Sequence, residues 1–93
     1  MDEILQEIRD AAADENWTEI DNQENIRMIS FVKRDMRINV YYGKPWRMTV
    51  GTVLNHPTTG RNQLFRKYVR MPELRRIFYN PRTHTQKGYR RSR

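Results

Sequence analysis

Apolar and polar positions alternate in different ways along this 93-residue chain, and each pattern predicts a different element. Ile4, Leu5, Ile8, Ala11 and Ala12 recur at helical spacing among Asp, Glu, Gln and Arg, which predicts an amphipathic helix over about 2–14. Asp2 suits its N-cap and Glu3 its first turn, where a carboxylate meets unpaired N–H groups. Trp17 is expected to fold back onto the apolar face as an anchor. Residues 18–24 are polar except Ile20 and fit a short edge strand or a loop. Ile26 to Lys33 is apolar and β-branched enough for a strand, with two registers open. A two-residue turn at Arg34-Asp35 puts Ile29 and Phe31 on the face of Ile38 and Val40. A three-residue loop puts Ile26, Met28 and Val32 there instead, because a one-residue slip exchanges the faces.

Alternation with period two is clearest in the next hairpin. Met36, Ile38, Val40 and Tyr42 alternate with Asp35, Arg37, Asn39 and Tyr41; after Gly43-Lys44-Pro45 the pattern resumes as Trp46, Met48, Val50, Thr52 and Leu54. A three-residue turn pairs Tyr42 with Trp46, Val40 with Met48 and Ile38 with Val50. The opposite face then shows Arg37, Asn39, Tyr41, Arg47 and Thr49. Residues 55–62 carry turn chemistry and predict a loop. Gln63 to Arg70 is extended again. Pro72 at the first helical position, Glu73 in the first turn and Leu74, Ile77 and Phe78 on one side predict a second helix, stopped by Asn80-Pro81. The expected organisation is one α+β domain over 1–80 and a flexible basic tail over 81–93. The domain has two layers: an N-terminal helix, an antiparallel meander of three to four strands and a short C-terminal helix, with one sheet face left partly open.

Charge sharpens this picture. Residues 1–46 carry six Lys/Arg against ten Asp/Glu, whereas residues 47–93 carry twelve against Glu73 alone, for a net charge of +7. Such asymmetry raises the expectation of a polyanionic partner. The acidic face of the first helix (Glu3, Glu7, Asp10, Asp14) would repel phosphates and should face away from one. Without cysteine, disulfides and thiolate zinc sites are excluded. The acidic, amphipathic opening differs from a secretory leader, and no apolar run approaches the roughly 20 residues of a membrane span. The expectation is a soluble intracellular chain, cytoplasmic or nuclear, with no membrane contact.

Three groups of residues carry candidate chemistry. The outer hairpin face, with Arg37, Tyr41 and Arg47, offers guanidinium groups for phosphates and a ring for stacking, although strand faces of this composition are often simply solvated. Arg61, Phe65, Arg66, Lys67, Tyr68, Arg70, Arg75 and Arg76 interleave cations with aromatics, as phosphate contact with base stacking requires. The plain alternative makes Phe65, Tyr68 and Val69 core, with the cations snorkelling outward. In the tail, Lys87, Arg90 and Arg91 add cations that increase capture without selectivity. His56 and His84 lack the partners of a metal site, and neither a phosphate loop nor a nucleophile elbow is present, so no cofactor, metal or catalysis is expected.

The element order resembles that of the double-stranded-RNA-binding domain, which is helix, three strands, helix. Arg75 and Arg76 behind Pro72-Glu73 loosely match that domain's basic cluster at its second helix, while NHPTTGRNQ and QLFRKYV lie outside its pattern. The residues themselves favour a non-catalytic nucleic-acid-binding module, with RNA or single-stranded DNA ahead of duplex because Tyr41, Phe65 and Tyr68 suit stacking. The alternative is a protein-interaction or regulatory subunit using the acidic helix face or the open sheet. Exposure of Trp17 or Trp46 in an apolar patch would favour a protein partner. Oligomeric state is left open.

Overall fold

Helical periodicity near the N-terminus yields α1 (Glu3–Asp14), which buries Leu5, Ile8, Ala11 and Ala12. Its end is set by Asn16, whose φ of 67° places it in the left-handed region. The Trp17 N–H then donates to the Ala12 carbonyl and the Asn16 N–H to Ala13, the paired bonds of a Schellman motif. Lys33 Nζ donates to the Glu15 carbonyl at 2.8 Å. This closure drops Trp17 onto the core as expected. Its ring is only 5% exposed, lies 5.9 Å from that of Phe78, and its Nε1–H donates to the Phe78 carbonyl at 2.8 Å. One side chain thereby joins the ends of both helices.

In the computed structural model, which describes residues 3–44, 46–56 and 60–81 (backbone alone at 55–56 and 60–62), α1 is followed by a five-stranded antiparallel sheet in chain order. The strands are β1 (Thr18–Gln23), β2 (Met28–Lys33), β3 (Met36–Tyr41), β4 (Met48–His56) and β5 (Gly60–Val69), with a 3₁₀ turn at Glu24–Ile26. The helix α2 (Met71–Tyr79) closes the fold, and Pro81 beyond it is buried. The α+β class holds, with five strands in place of three or four. That sheet also departs from the helix, three strands, helix order of the double-stranded-RNA-binding domain.

Two-residue closure at Arg34-Asp35 decides the first register: Lys33 pairs with Met36, so Ile29 and Phe31 share a face with Ile38 and Val40. In the next hairpin Val40 pairs with Val50 and Tyr41 with Thr49, two residues from the expected register. A shift of two preserves both faces. Its cause is a connection spanning 42–47, which takes Trp46 out of the ladder. Trp46 is therefore 60% exposed, not paired with Tyr42. Tyr42 is buried nonetheless, with the Arg27 guanidinium 4.9 Å from its ring centre. The predicted loop over 55–62 is largely ladder: Asn55 pairs with Arg61 and His56 with Gly60. The rest of that predicted loop, residues 57–59, lies outside the described residues, and β5 is a ten-residue strand.

Both helices lie on one face of this sheet. Ile29, Phe31, Ile38, Val40, Met48, Val50 and Val69 pack there against Leu5 and Ile8 of α1 and Leu74, Ile77 and Phe78 of α2. The Phe31 and Phe78 rings meet edge to face at 5.3 Å, a favoured aromatic geometry. At the β1 margin Arg9 of α1 meets Glu19 with hydrogen bonds of 2.7 and 2.9 Å. That hydrogen bond raises the Arg9 guanidinium above its ordinary value against a smaller opposing effect of burial, so it stays charged at every physiological pH.

Candidate functional site

The sheet face away from the helices has a lattice set by strand register. Cross-strand pairing aligns Asp21, Ser30, Asn39, Gly51 and Phe65 in one row. Gln23, Met28, Tyr41 and Thr49 form the row on one side; Thr18, Val32, Arg37, Val53 and Gln63 form the row on the other. The predicted outer hairpin face is therefore continuous with the aromatic side of β5. Two candidate groups separated in sequence meet on one surface.

Two local devices present the β5 aromatics. A Cβ at Gly51 would lie 2.8 Å from Phe65 Cε1, so the ring crosses this glycine where another side chain would displace it. A glycine inside a strand marks such close approaches, and this signal was present in the sequence. The ring keeps 57% exposure. Further along, Met48 pairs with Val69 but Val50 with Arg66, so Lys67 and Tyr68 together oppose Thr49 in a bulge. Tyr68 takes φ 61°, a conformation unfavourable for a bulky residue, and is 68% exposed. Arg47 lies 5.9 Å from the Tyr68 ring centre. Tyr41, about one-third exposed, stands across β4 from this pair.

The remaining candidates are distributed differently. Arg66 lies in register with Val50, on the helix-covered face, and meets Glu73 of α2 at 3.2 Å. Arg70 occupies the N-cap of α2 and is exposed, as are Lys67, Arg75 and Arg76. Position 61 is in β5, but its side chain lies outside the described residues, as do Lys87, Arg90 and Arg91 and the tail they belong to. The 61–76 cluster is thus divided between the open face, the β5 margin and α2. The exposed acids Glu3, Glu7, Asp10 and Asp14 belong to α1 and so to the layer behind the open face.

Arg37 and Asn39 are tied into a network the sequence did not disclose. The Ser30 hydroxyl donates to Asn39 Oδ1 at 2.6 Å, Arg37 Nε donates to the same oxygen at 3.0 Å, and Arg37 Nη2 approaches Ser30 Oγ at 3.3 Å. Ser30 is fully buried, although it lies on the face away from α1 and α2. Among the described residues no group of three or more His, Asp or Glu gathers as a metal site, and no helix is long and apolar enough to cross a membrane. Compared with protein-family models, curated proteins and solved structures, the chain matches none.

Proposed function

We propose that the open sheet face binds single-stranded nucleic acid, RNA or DNA, without catalysis. The observation carrying this reading is the union of Tyr41, Phe65 and Tyr68 with Arg37 and Arg47 on one uncovered face. Exposed rings give unpaired bases a stacking surface of about 1–3 kcal/mol each, and guanidinium groups neutralise the phosphates between them. Tyr68 supports it further. The left-handed conformation it takes on the bulge costs stability in a bulky residue, and its ring stands exposed beside Arg47. The acidic α1 lies behind the sheet, leaving the open face as the side a polyanion can approach. Lys67, Arg70, Arg75 and Arg76 extend the positive field around the β5 margin, and the tail cations Lys87, Arg90 and Arg91 add capture.

Titration of labelled single-stranded RNA, single-stranded DNA and duplex at several salt concentrations tests this. Neutralising about six phosphates gives a slope of log K against log salt near −4 to −5. Single strands should bind more tightly than duplex. Absence of saturable binding near ~100 mM salt contradicts the proposal. Removing residues 82–93 should lower the slope yet retain binding.

The exposure of Trp46 favours a second reading, a protein partner docking at the connection between β3 and β4. Under that reading Trp46→Ala abolishes capture of the partner, while nucleic acid produces no saturation.

A further inference from the structure

Arg37 differs from Arg9 and Arg66. Arg9 and Arg66 meet carboxylates, Glu19 and Glu73, and both pairs belong to the helix-covered side. Arg37 stands on the open face in a row between Val32 and Val53, half-buried, and its hydrogen-bond partners are the neutral oxygens of Ser30 and Asn39. Of the carboxylates in this region, Asp21 lies two strands away opposite Ser30 and its Oδ2 accepts from Gln23 Nε2 at 2.8 Å, while Asp35 sits in the turn before β3 with interactions of its own. A cation partly withdrawn from water and answered, among the described residues, by neutral acceptors is costly to maintain.

The hydrogen-bond valences show what the arrangement leaves over. A guanidinium has five N–H donors. Nε and Nη2 form its lateral edge, and both bonds to Asn39 and Ser30 use that edge. The two protons of Nη1 and the second proton of Nη2 have no partner among the described residues, and one from each nitrogen makes up the terminal edge. Two parallel N–H groups on such an edge match two oxygens of a phosphate. The network also fixes the fork. Ser30 and Asn39 are direct partners across the adjacent interior strands β2 and β3, and the Ser30 hydroxyl, with Met28 Sδ 3.1 Å away, has a buried and defined setting. Sites held by strands and packed neighbours retain their geometry better than sites on loops.

We infer that Arg37 is a preset phosphate fork, with Ser30 and Asn39 as positioning residues and its terminal edge offered to a phosphodiester of the bound strand. The identity of the ligand rests on the proposed nucleic-acid function; the fork itself rests on the hydrogen bonds. Asn39→Asp separates binding from structure. Asp keeps the acceptor for Arg37 and Ser30 but adds a charge that cancels the guanidinium. A purely structural network is preserved or strengthened by this change, whereas a phosphate site is quenched.

The test uses the full chain with two probes, a ten-nucleotide single-stranded DNA and inorganic tripolyphosphate, which has phosphates but no bases. Binding is followed by fluorescence anisotropy and by the Arg37 Nε–Hε resonance, with thermal unfolding measured in parallel. Asn39→Asp should keep or raise the melting temperature, weaken DNA binding about tenfold and make the salt slope shallower by about one, as loss of one phosphate contact requires. Arg37→Gln should lose the same slope, and both probes should shift the Arg37 resonance in the wild type. Wild-type DNA affinity and slope in a folded Asn39→Asp variant overturn the fork while leaving the nucleic-acid reading intact. Tripolyphosphate shifting Arg37 in the wild type but not in Asn39→Asp, without DNA binding, supports the fork and refutes the nucleic-acid reading. An Arg37 resonance that neither probe moves overturns the inference.

Discussion

The two faces of one sheet solve opposite problems. On the helix-covered face, cations meet carboxylates and aromatics meet each other: Arg66 finds Glu73, and Phe31 finds Phe78. On the open face, Arg37 meets neutral oxygens, while Phe65 and Tyr68 stay exposed over a glycine and on a bulge. Period-two alternation creates both faces from the same strands, so neither composition nor strand propensity explains the contrast. Interactions are completed within the protein on one side and left incomplete on the other. Such incompleteness is what a ligand-binding surface requires.

Substitutions that affect stability on one side and binding on the other test this contrast. The largest effect is expected at Phe78, fully buried between Trp17 and Phe31: Phe78→Ala should cost about 3–5 kcal/mol in urea unfolding. On the open face, Phe65→Ala should change stability by about 1 kcal/mol or less, yet weaken single-strand binding by about 1–3 kcal/mol. Equal stability losses at the two positions would erase the distinction.

A smaller and more selective effect separates strain from function. Arg34 and Tyr68 both take positive φ, 58° and 61°. Replacing either with Gly should relieve about 1 kcal/mol of backbone strain. Arg34→Gly should leave nucleic-acid affinity nearly unchanged, whereas Tyr68→Gly should reduce it despite the relief. Denaturant melts and anisotropy titrations on the two variants read both quantities. The smallest effect belongs to the exposed Arg9–Glu19 pair, whose double-mutant coupling should be about 0.2–1 kcal/mol, with no change in binding.

Much of the fold is readable where local and global signals agree. The helices follow from apolar periodicity and, for α2, from Pro72 in its first turn, whereas the expected cap Asp2 lies outside the described residues; the composition of the two hairpin faces survives a register error because that error is an even number of residues. The misplacement of Trp46 has a different origin. Gly43-Lys44-Pro45 looks sufficient for a turn, but the ladder stops at Tyr41 and Thr49, and nothing local reveals that longer connection. The strand extensions through His56 and from Gly60 were concealed by polar turn-like residues that sit in a two-stranded ladder. For the site, residue types were legible but grouping was not. Contiguity suggested one patch over 61–76, yet pleating sends Phe65 and Arg66 to opposite faces. The Ser30–Asn39–Arg37 network depends on cross-strand register, which two-residue and three-residue closures at Arg34-Asp35 set differently and local sequence does not distinguish.

The central claim is that ligand meets the open face. Backbone and arginine side-chain resonances of the full chain, followed while a ten-nucleotide single-stranded RNA is added, test it most directly. The account predicts saturable shifts at Arg37, Tyr41, Arg47, Thr49, Gly51, Phe65 and Tyr68, with α1 from Glu3 to Asp14 undisturbed. Saturable shifts confined to α2 and the tail, with the open face silent, contradict it.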